Sequence, residues 1–578
     1  MWCKKCRRET SKVKCELCGI ETEKEIPLEV YWCSLCKVPI IKYANDIVRD
    51  ICPSCGEIIE YLCTDLRPVF PEERLLFEII HKRPLAHIEQ SVWASDNRYY
   101  IDGKPTVIGS SFYKKLAPGI IREQLEKYAQ KNNYTAFDII IKRFIKANKT
   151  RFDEIVNEAH EFIKDTAAPY PNECVVISFS GGKDSTVTAD LTIRALGDPS
   201  LVHIFGNTTL EFPMTHDYAN RYDNANPKAI FKTAINDEQD FYSVCEDIGP
   251  PARMLRWCCS MFKTGPITRI LNKLYGESDI LTFYGIRKYE SVSRSKYNRV
   301  EDSAESVKIQ KQKVASPIFL WKDIDVWLYI LAEQLDFNDA YRIGYDRVGC
   351  WCCPNNNTRA QFLAQIYMPE QYSKWRDFLV KFARRIGKLD AEEYIDSGAW
   401  KARQGGNGVS AAQDIKIRYT KCTTEANAKI YRLNKPIDTQ FIELFVPFGR
   451  IAPELGRKLI NETIVADVNT NVPILSIQPF TQDNYDYAVK VKTLNVVKHD
   501  DLQRMVGYQI KKFNACRKCL KCESLCKHRA IVIVGGEYRI NSNKCKMCKM
   551  CVTAKYIEGG CLMEKYLKTK NRNNEVKV

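Results

Sequence analysis

The sequence predicts an α/β protein whose core is a doubly wound parallel sheet, with small cysteine-ribbon domains ahead of it and a small α+β cysteine-rich domain behind it. Three observations carry that expectation. The run Cys174–Phe179 is almost continuously apolar, as in a strand buried on both faces, and passes at once into Ser180-Gly181-Gly182-Lys183-Asp184-Ser185 and a helical stretch, Thr186–Ala195. A second apolar run, Leu201–Phe205, follows that helix, so strand and helix alternate and a ligand belongs at the carboxyl ends of the strands. Many of the 25 cysteines fall in short-spaced sets near the two ends of the sequence.

Composition sets the outer bounds. A length of 578 residues suits about three to five domains. A hydrophobic fraction of 45% with 27% charged residues excludes a largely disordered chain. No apolar run reaches the length of about 18 residues that a membrane helix needs, so no membrane partner is expected. The start, Met1 to Cys6, lacks the apolar core of a signal peptide, and a cytoplasmic location is expected. The formal charge of +16 would by itself suggest a polyanionic partner such as nucleic acid.

The elements follow in order. Residues 1–64 carry Cys3-x-x-Cys6 with Cys15-x-x-Cys18, then Cys33-x-x-Cys36 with Cys52-x-x-Cys55. A C-x-x-C pair aims two thiolates at one ion from a tight turn, and two pairs complete a tetrahedral site, so two structural zinc ribbons are expected. Cys18-Gly19 and Cys55-Gly56 put glycine where such a turn needs positive φ. Residues 65–168 read as a helical connector, with amphipathic stretches Glu72–His81, Gly119–Lys131 and Asp153–Lys164 and a hairpin turn at Asp102-Gly103 after Arg98–Ile101. Residues 169–404 form the α/β core. After a Gly405-Gly406-Asn407-Gly408 linker, residues 405–510 read as a β-containing domain with strands at Ile415–Tyr419 and Tyr487–Lys492 and a helix over Asp500–Lys512. Residues 568–578 read as a flexible polar tail. The seven histidines fall in no ligand spacing.

In residues 511–567 the spacing is Cys516-x-x-Cys519-x-x-Cys522-x-x-x-Cys526, followed by Cys545-x-x-Cys548-x-x-Cys551 and Cys561. This stretch resembles two-cluster bacterial ferredoxins, in which three cysteines of a run hold one cubane and the fourth holds the other. The resemblance implies one [4Fe–4S] cluster on Cys516, Cys519, Cys522 and Cys561 and a second on Cys545, Cys548, Cys551 and Cys526. Two departures stand: no proline follows Cys526, and nine residues separate Cys551 from Cys561.

The turn Ser180–Ser185 is a phosphate cradle by residue type: small residues let backbone N–H groups approach an anion, the helix N-terminus adds partial positive charge, and Lys183 a full one. It resembles the pyrophosphate loop of the adenine nucleotide α-hydrolase superfamily. An ordered series then follows: Arg256-Trp257-Cys258-Cys259 with Lys263; Gly285-Ile286-Arg287 with Glu290, Ser291 and Arg294; Pro317-Ile318 with Trp321 and Asp325; Tyr341, Gly344, Arg347 to Cys350, and Cys353-Pro354. Over about residues 170–385 this series resembles the phosphoadenosine phosphosulfate (PAPS) reductase family. The resemblance implies nucleotide binding by Ser180, Gly181, Gly182, Lys183, Asp184 and Ser185. It implies a grip on the phosphosulfate by the catalytic cations Lys263, Arg287, Arg294 and Arg347. It also implies a third [4Fe–4S] cluster on Cys258, Cys259, Cys350 and Cys353, as in members that reduce adenylyl sulfate (APS), with Cys352 as a competing ligand. The Glu-Cys-Gly-type motif that supplies the nucleophile of thioredoxin-dependent members is missing; Cys422 is the nearby cysteine outside the metal sets, and Cys245 is a second orphan.

The resulting expectation is an iron–sulfur sulfonucleotide reductase that turns APS or PAPS into sulfite and AMP or PAP, fed by its own ferredoxin domain and an external low-potential donor. The alternative is an ATP pyrophosphatase that activates a nucleic acid for cluster-dependent sulfur transfer, because Ser-Gly-Gly-Lys-Asp-Ser is the form found in ATP-splitting relatives. Two zinc sites and three clusters would contribute about −10, which lowers the apparent +16 to roughly +6 and removes most of the argument for nucleic acid.

Overall fold

The computed structural model describes residues 2–3, 8–9, 14–21, 26–46, 48, 50–95, 98–276, 278–302, 312–482, 485–569 and 575–577. The central sheet has six strands: β1 (Val175–Phe179), β2 (Val202–Gly206), β3 (Ile230–Ala234), β4 (Ile280–Tyr284), β5 (Val300–Asp302) and β6 (Gln312–Ala315). Their spatial order is 3-2-1-4-6-5, and all neighbours are parallel except β5 against β6. The chain runs outward from β1 through β2 to β3 and then returns to the other side of β1 as β4. The reversal between β1 and β4 opens a crevice beyond their carboxyl ends, where doubly wound sheets bind ligands. Val175, Val176 and Ile177 are fully buried, as the continuous apolar run requires. Helix α1 (Lys183–Leu196) starts directly after the Ser-Gly-Gly turn and stops at Gly197, whose φ of 65° ends it in the left-handed conformation.

The segment 65–168 is α+β rather than purely helical. The expected helices are present at Pro71–Ile80, Pro118–Ala129 and Lys149–Ala167, and a further one runs over Thr135–Ala147. Four short antiparallel strands (Arg67–Pro68, Val92–Ser95, Arg98–Ile101, Lys104–Val107) form a sheet beside them. Strands of two to four residues are too short to leave a period-2 signal, and only the Asp102-Gly103 hairpin, with φ of 46° and 80°, was legible. The segment is not a detachable linker. Phe152 stacks on Tyr329 of the core at 5.9 Å, and one hydrophobic core runs from Leu28 to Tyr341.

Downstream, strands at Ile417–Lys421, Ala428–Leu433, Arg450–Ala452, Thr463–Ala466, Pro473–Gln482 and Tyr485–Thr493 build the expected β domain, and His499–Ala515 is its helix. Glu575–Lys577, inside the segment read as a flexible tail, instead pair in parallel with Ile417–Tyr419, because that edge strand leaves unpaired backbone groups for a polar chain to bond. The expected linker is pinned as well: Gly406 N–H donates to the Lys568 carbonyl at 3.1 Å, and a Cβ on Gly405 would meet that oxygen at 2.0 Å. Among the described residues no helix is long and apolar enough to cross a membrane.

Candidate active site and thiol sets

The pyrophosphate-type turn is wired by its own hydroxyls. Ser180 N–H donates to Ser185 Oγ at 3.1 Å, and that hydroxyl donates to the Gly182 carbonyl at 2.8 Å. Gly181 has φ of 69°, and a Cβ there would lie 2.8 Å from Thr215 Cγ2, so the turn closes only with glycine. Lys183 N–H donates to Tyr341 Oη at 3.1 Å, which ties the loop to the second half of the core.

Charge in the crevice is arranged as a ring. Lys183 Nζ lies 2.9 Å from Asp184 and 3.0 Å from Asp323, and Arg287 reaches the same two carboxylates at 2.5 and 2.8 Å. Burial would raise the Asp184 pKa, but Arg287 and Lys183 outweigh it and hold the carboxyl well below the usual range. Asp65, from the preceding domain, accepts the backbone N–H groups of Asp323 and Ile324 at 3.0 and 3.1 Å. Burial, with the Asp323 charge, pushes Asp65 up to about 6. Of the four cations assigned to the phosphosulfate, Arg287 is therefore buried and engaged by carboxylates. Arg294 is paired with Glu290, and Arg347 stands 3.6 Å from that same carboxylate. Lys263 is exposed and has no ion-pair partner among the described residues.

Lys263 belongs to the same ledge as the core cysteines. Cys258 leads into a π-helical turn, Cys259–Thr264, which continues as α2 (Gly265–Tyr275). Such wide turns displace side chains from regular helical positions and recur at functional sites. The second pair arrives from the far side: Glu211 and Cys350 form an antiparallel bridge, Trp351 N–H donates to the Leu210 carbonyl at 2.9 Å, and Thr208 Oγ1 lies 3.5 Å from Cys350 Sγ. The loop after β2 therefore carries Cys350 toward Cys258, whose thiol feels both Cys259 and Cys350. The hydrogen bond with Cys258, then Arg256 and Lys263, pulls Cys259 down to about 5, a thiolate suited to a metal. Arg256 Nη2 donates to Cys259 Sγ at 3.4 Å. Cys352 and Cys245 are buried in the hydrophobic core, and burial pushes both thiols well above their ordinary range. Cys422 lies in the β domain beside Thr424.

The C-terminal module gathers its thiols beside one another, and Cys551 neighbours Cys522 as well as Cys526 and Cys545. Cys561 is influenced by Cys516 and Cys522, and Cys519 by Cys522, Cys561 and Cys516. Cys526, Cys545, Cys548 and Cys551 line one cavity together. Buried Lys512 bonds to the Cys551 carbonyl, and its charge is favoured by Cys522, Cys551, Cys561 and Cys516, so a cation stands between the two sets. The module seats directly on α2: a Cβ on Gly265 would meet Leu520 Cβ at 2.9 Å, and Arg269 grips Glu523 at 2.9 and 3.0 Å. Tyr566 Oη is 3.2 Å from Ser260 Oγ, and Tyr566, Cys519 and Cys561 share one hydrophobic core against which Cys258 and Cys350 pack.

At the N-terminal end, Cys33, Cys36, Cys52 and Cys55 bring their sulfurs within 4.8 Å of one another, as do Cys3, Cys15 and Cys18; Cys6 lies outside the described residues. Zn–S bonds of about 2.3 Å in a tetrahedron require sulfurs about 3.8 Å apart. The observed Cys33–Cys55 and Cys36–Cys52 separations are 3.5 and 3.9 Å, so this set fits a single ion. Gly19 and Gly56 take φ of 70° and 78° at the turns. Among the described residues, no three of the core or C-terminal cysteines gather that closely.

Sequence reasoning missed the support of the second cysteine pair. Glu73 is 1% exposed; it takes Arg67 at 2.6 and 2.7 Å, Arg359 at 2.5 Å and the Tyr99 hydroxyl at 2.8 Å. Both arginines also hold Asp346, four residues before Cys350. Nothing local marks the network, because Arg67–Asp346 and Arg359–Glu73 join residues 279 and 286 apart.

Residues 174–356 match the phosphoadenosine phosphosulfate reductase domain. An uncharacterised protein of Methanocaldococcus jannaschii is 30% identical over 366 residues, which cover 63% of this chain and 71% of that protein. The chain belongs to the phosphoadenosine phosphosulfate reductase domain family. Within that family it is similar to the adenosine 5'-phosphosulfate reductase of Staphylococcus epidermidis, 24% identical over 37% of this chain and 85% of the relative. Among solved structures, phosphoadenylyl-sulfate reductase from Candida auris is similar with a TM-score of 0.27 and 18% identity, over 35% of this chain and 95% of that one. The matched span contains the Ser180–Ser185 turn, Arg287 and all four core cysteines of this PAPS reductase domain.

Proposed function

We propose that the protein is a sulfonucleotide reductase that carries its own electron-transfer module. APS or PAPS would bind in the β1/β4 crevice, with the nucleotide phosphate at the Ser180–Ser185 turn and the sulfonate toward exposed Lys263. Two electrons cleave the S–O bond: sulfur leaves as sulfite, and the bridging oxygen stays with AMP or PAP. Lys263 and Arg256 would hold the sulfonate and the charge that develops on it, with Arg294 and Arg347 released from Glu290 to join them. Arg287 would act from behind, fixing Asp184 and Asp323 so that Lys183 keeps its place. Cys258, Cys259, Cys350 and Cys353 would hold a [4Fe–4S] cluster, and the two C-terminal thiol sets two more, which supply electrons singly when bound.

The observation that carries this reading is the seat of the C-terminal module on α2, where Tyr566 Oη reaches Ser260 Oγ beside Cys259 and Arg269 grips Glu523. A thiol nucleophile is not needed, in keeping with the burial of Cys245. One observation favours the rival reading. Asp184 and Asp323 face Lys183 across the turn, and two carboxylates beside a phosphate site suit a metal–ATP complex. The deciding experiment is anaerobic purification with iron, zinc and sulfide counts, then incubation of the reduced protein with APS, PAPS and ATP. About twelve iron atoms and sulfite release from a sulfonucleotide support reduction. Pyrophosphate release from ATP without sulfite would overturn it in favour of ATP-dependent sulfur transfer.

A further inference from the structure

The C-terminal module holds its basic residues in two settings, ion-paired and free. Some are engaged: Arg517 pairs with Asp247 of the core and Asp414 of the β domain, Arg539 with Glu443 of the β domain, and Lys511 with Glu564 of the module itself at 2.9 Å. Cys526, Cys545, Cys548 and Cys551 line a cavity that also touches Pro447 of the β domain, and Cys548 is the one exposed thiol of the eight. Lys546 and His528 share that lining, while Lys527 and Lys544 flank Cys526 and Cys545 in the chain. Lys527, Lys544 and Lys546 are exposed and have no ion-pair partner among the described residues.

We infer that this rim is the docking face for a small acidic one-electron carrier protein. The inference rests on the reductase reading and names the partner it requires. Charge compensation alone does not explain the rim. Buried Lys512 already offsets thiolate charge from inside, where the local dielectric is low. Exposed lysines do so weakly, because water and salt screen them. Their position suits electrostatic steering, in which a positive rim orients a negative partner over the exposed edge of a redox group and raises its association rate. Two successive encounters would each deliver one electron, oxidising two carrier molecules for each sulfonucleotide reduced.

The test uses the full-length protein prepared anaerobically, with iron and sulfide counted first. A pre-reduced acidic two-[4Fe–4S] ferredoxin serves as probe, and absorbance reports electron transfer in stopped flow. At low salt the probe should react at least tenfold faster than at high salt. The triple variant K527E/K544E/K546E should lose roughly tenfold or more of the low-salt rate, while its iron count and its reduction by a small photoreduced flavin move less than twofold. A probe rate indifferent to salt and to charge reversal, with all clusters present, overturns the docking face alone. So does a tRNA probe that occupies this face in preference to the ferredoxin. A wild-type protein that assembles no cluster on the C-terminal cysteines overturns both the face and the reductase reading.

Discussion

Cys33, Cys36, Cys52 and Cys55 share the C-x-x-C spacing of the C-terminal thiols but face a different problem. In the N-terminal set, each pair sits on a tight turn at the edge of small strands, and the four sulfurs crowd to within 4.8 Å. In the C-terminal module four of the cysteines line one cavity, and buried Lys512 bonds to the Cys551 carbonyl. One spacing thus serves two geometries. The turn decides that two thiols point together, and the packing around the turns decides how far apart the two pairs stand. The core set is a third solution, in which Cys258–Cys259 comes from a π-helical turn and Cys350–Cys353 from a loop held by buried ion pairs.

The comparison can be broken most forcefully at the module's inner set. Cys519→Ser should remove one cluster, lowering iron from about twelve to about eight per chain and sulfite formation by roughly a hundredfold, while zinc content stays unchanged. Loss of zinc along with iron would mean that the two ends are not separate metal systems. The support of the core set is tested by Glu73→Gln, which leaves Arg67 and Arg359 buried without their shared carboxylate. Denaturant unfolding should show a loss of about 3–5 kcal/mol, as for other broken buried pairs. Iron attached to the core set should fall with it.

Smaller effects sharpen the contrast. Lys512→Gln should lower the midpoint potentials of the C-terminal clusters by roughly 60 mV, a tenfold change in a one-electron equilibrium, without altering zinc binding. Redox titration followed by electron paramagnetic resonance would read this directly. The smallest effect concerns Asp65. Its folded pKa of about 6 lies above the unfolded value near 3.9, so the native state holds the proton more tightly. Its contribution to stability should therefore fall as pH rises from about 4 through about 6 and then level off. Asp65→Asn should flatten that part of the Tm-against-pH curve; an unchanged slope would show that Asp65 titrates normally.

Much of the site could be read from sequence wherever a function depends on neighbours in the chain. The Ser180–Ser185 turn, the apolar run ahead of it and the positive-φ glycines after Cys18 and Cys55 are local solutions to local constraints. The charged roles were less legible. Arg287 looked like an open cation beside Gly285-Ile286, but its state depends on Asp184 and Asp323, 103 and 36 residues away. The strands of residues 65–107 were too short to show a period, and Glu73 gave no sign of its two arginines.

By itself the sequence determined the α/β core, the phosphate-binding turn and the cysteine spacings, because each is a property of a few consecutive residues and the backbone they allow. The tertiary structure decided which cations are engaged and which are free. It also set how widely each thiol set opens and brought Tyr566 against Ser260 across 306 residues of chain. Those outcomes depend on burial and long-range contact, and a charge or thiol acquires its chemistry from whatever the fold packs around it.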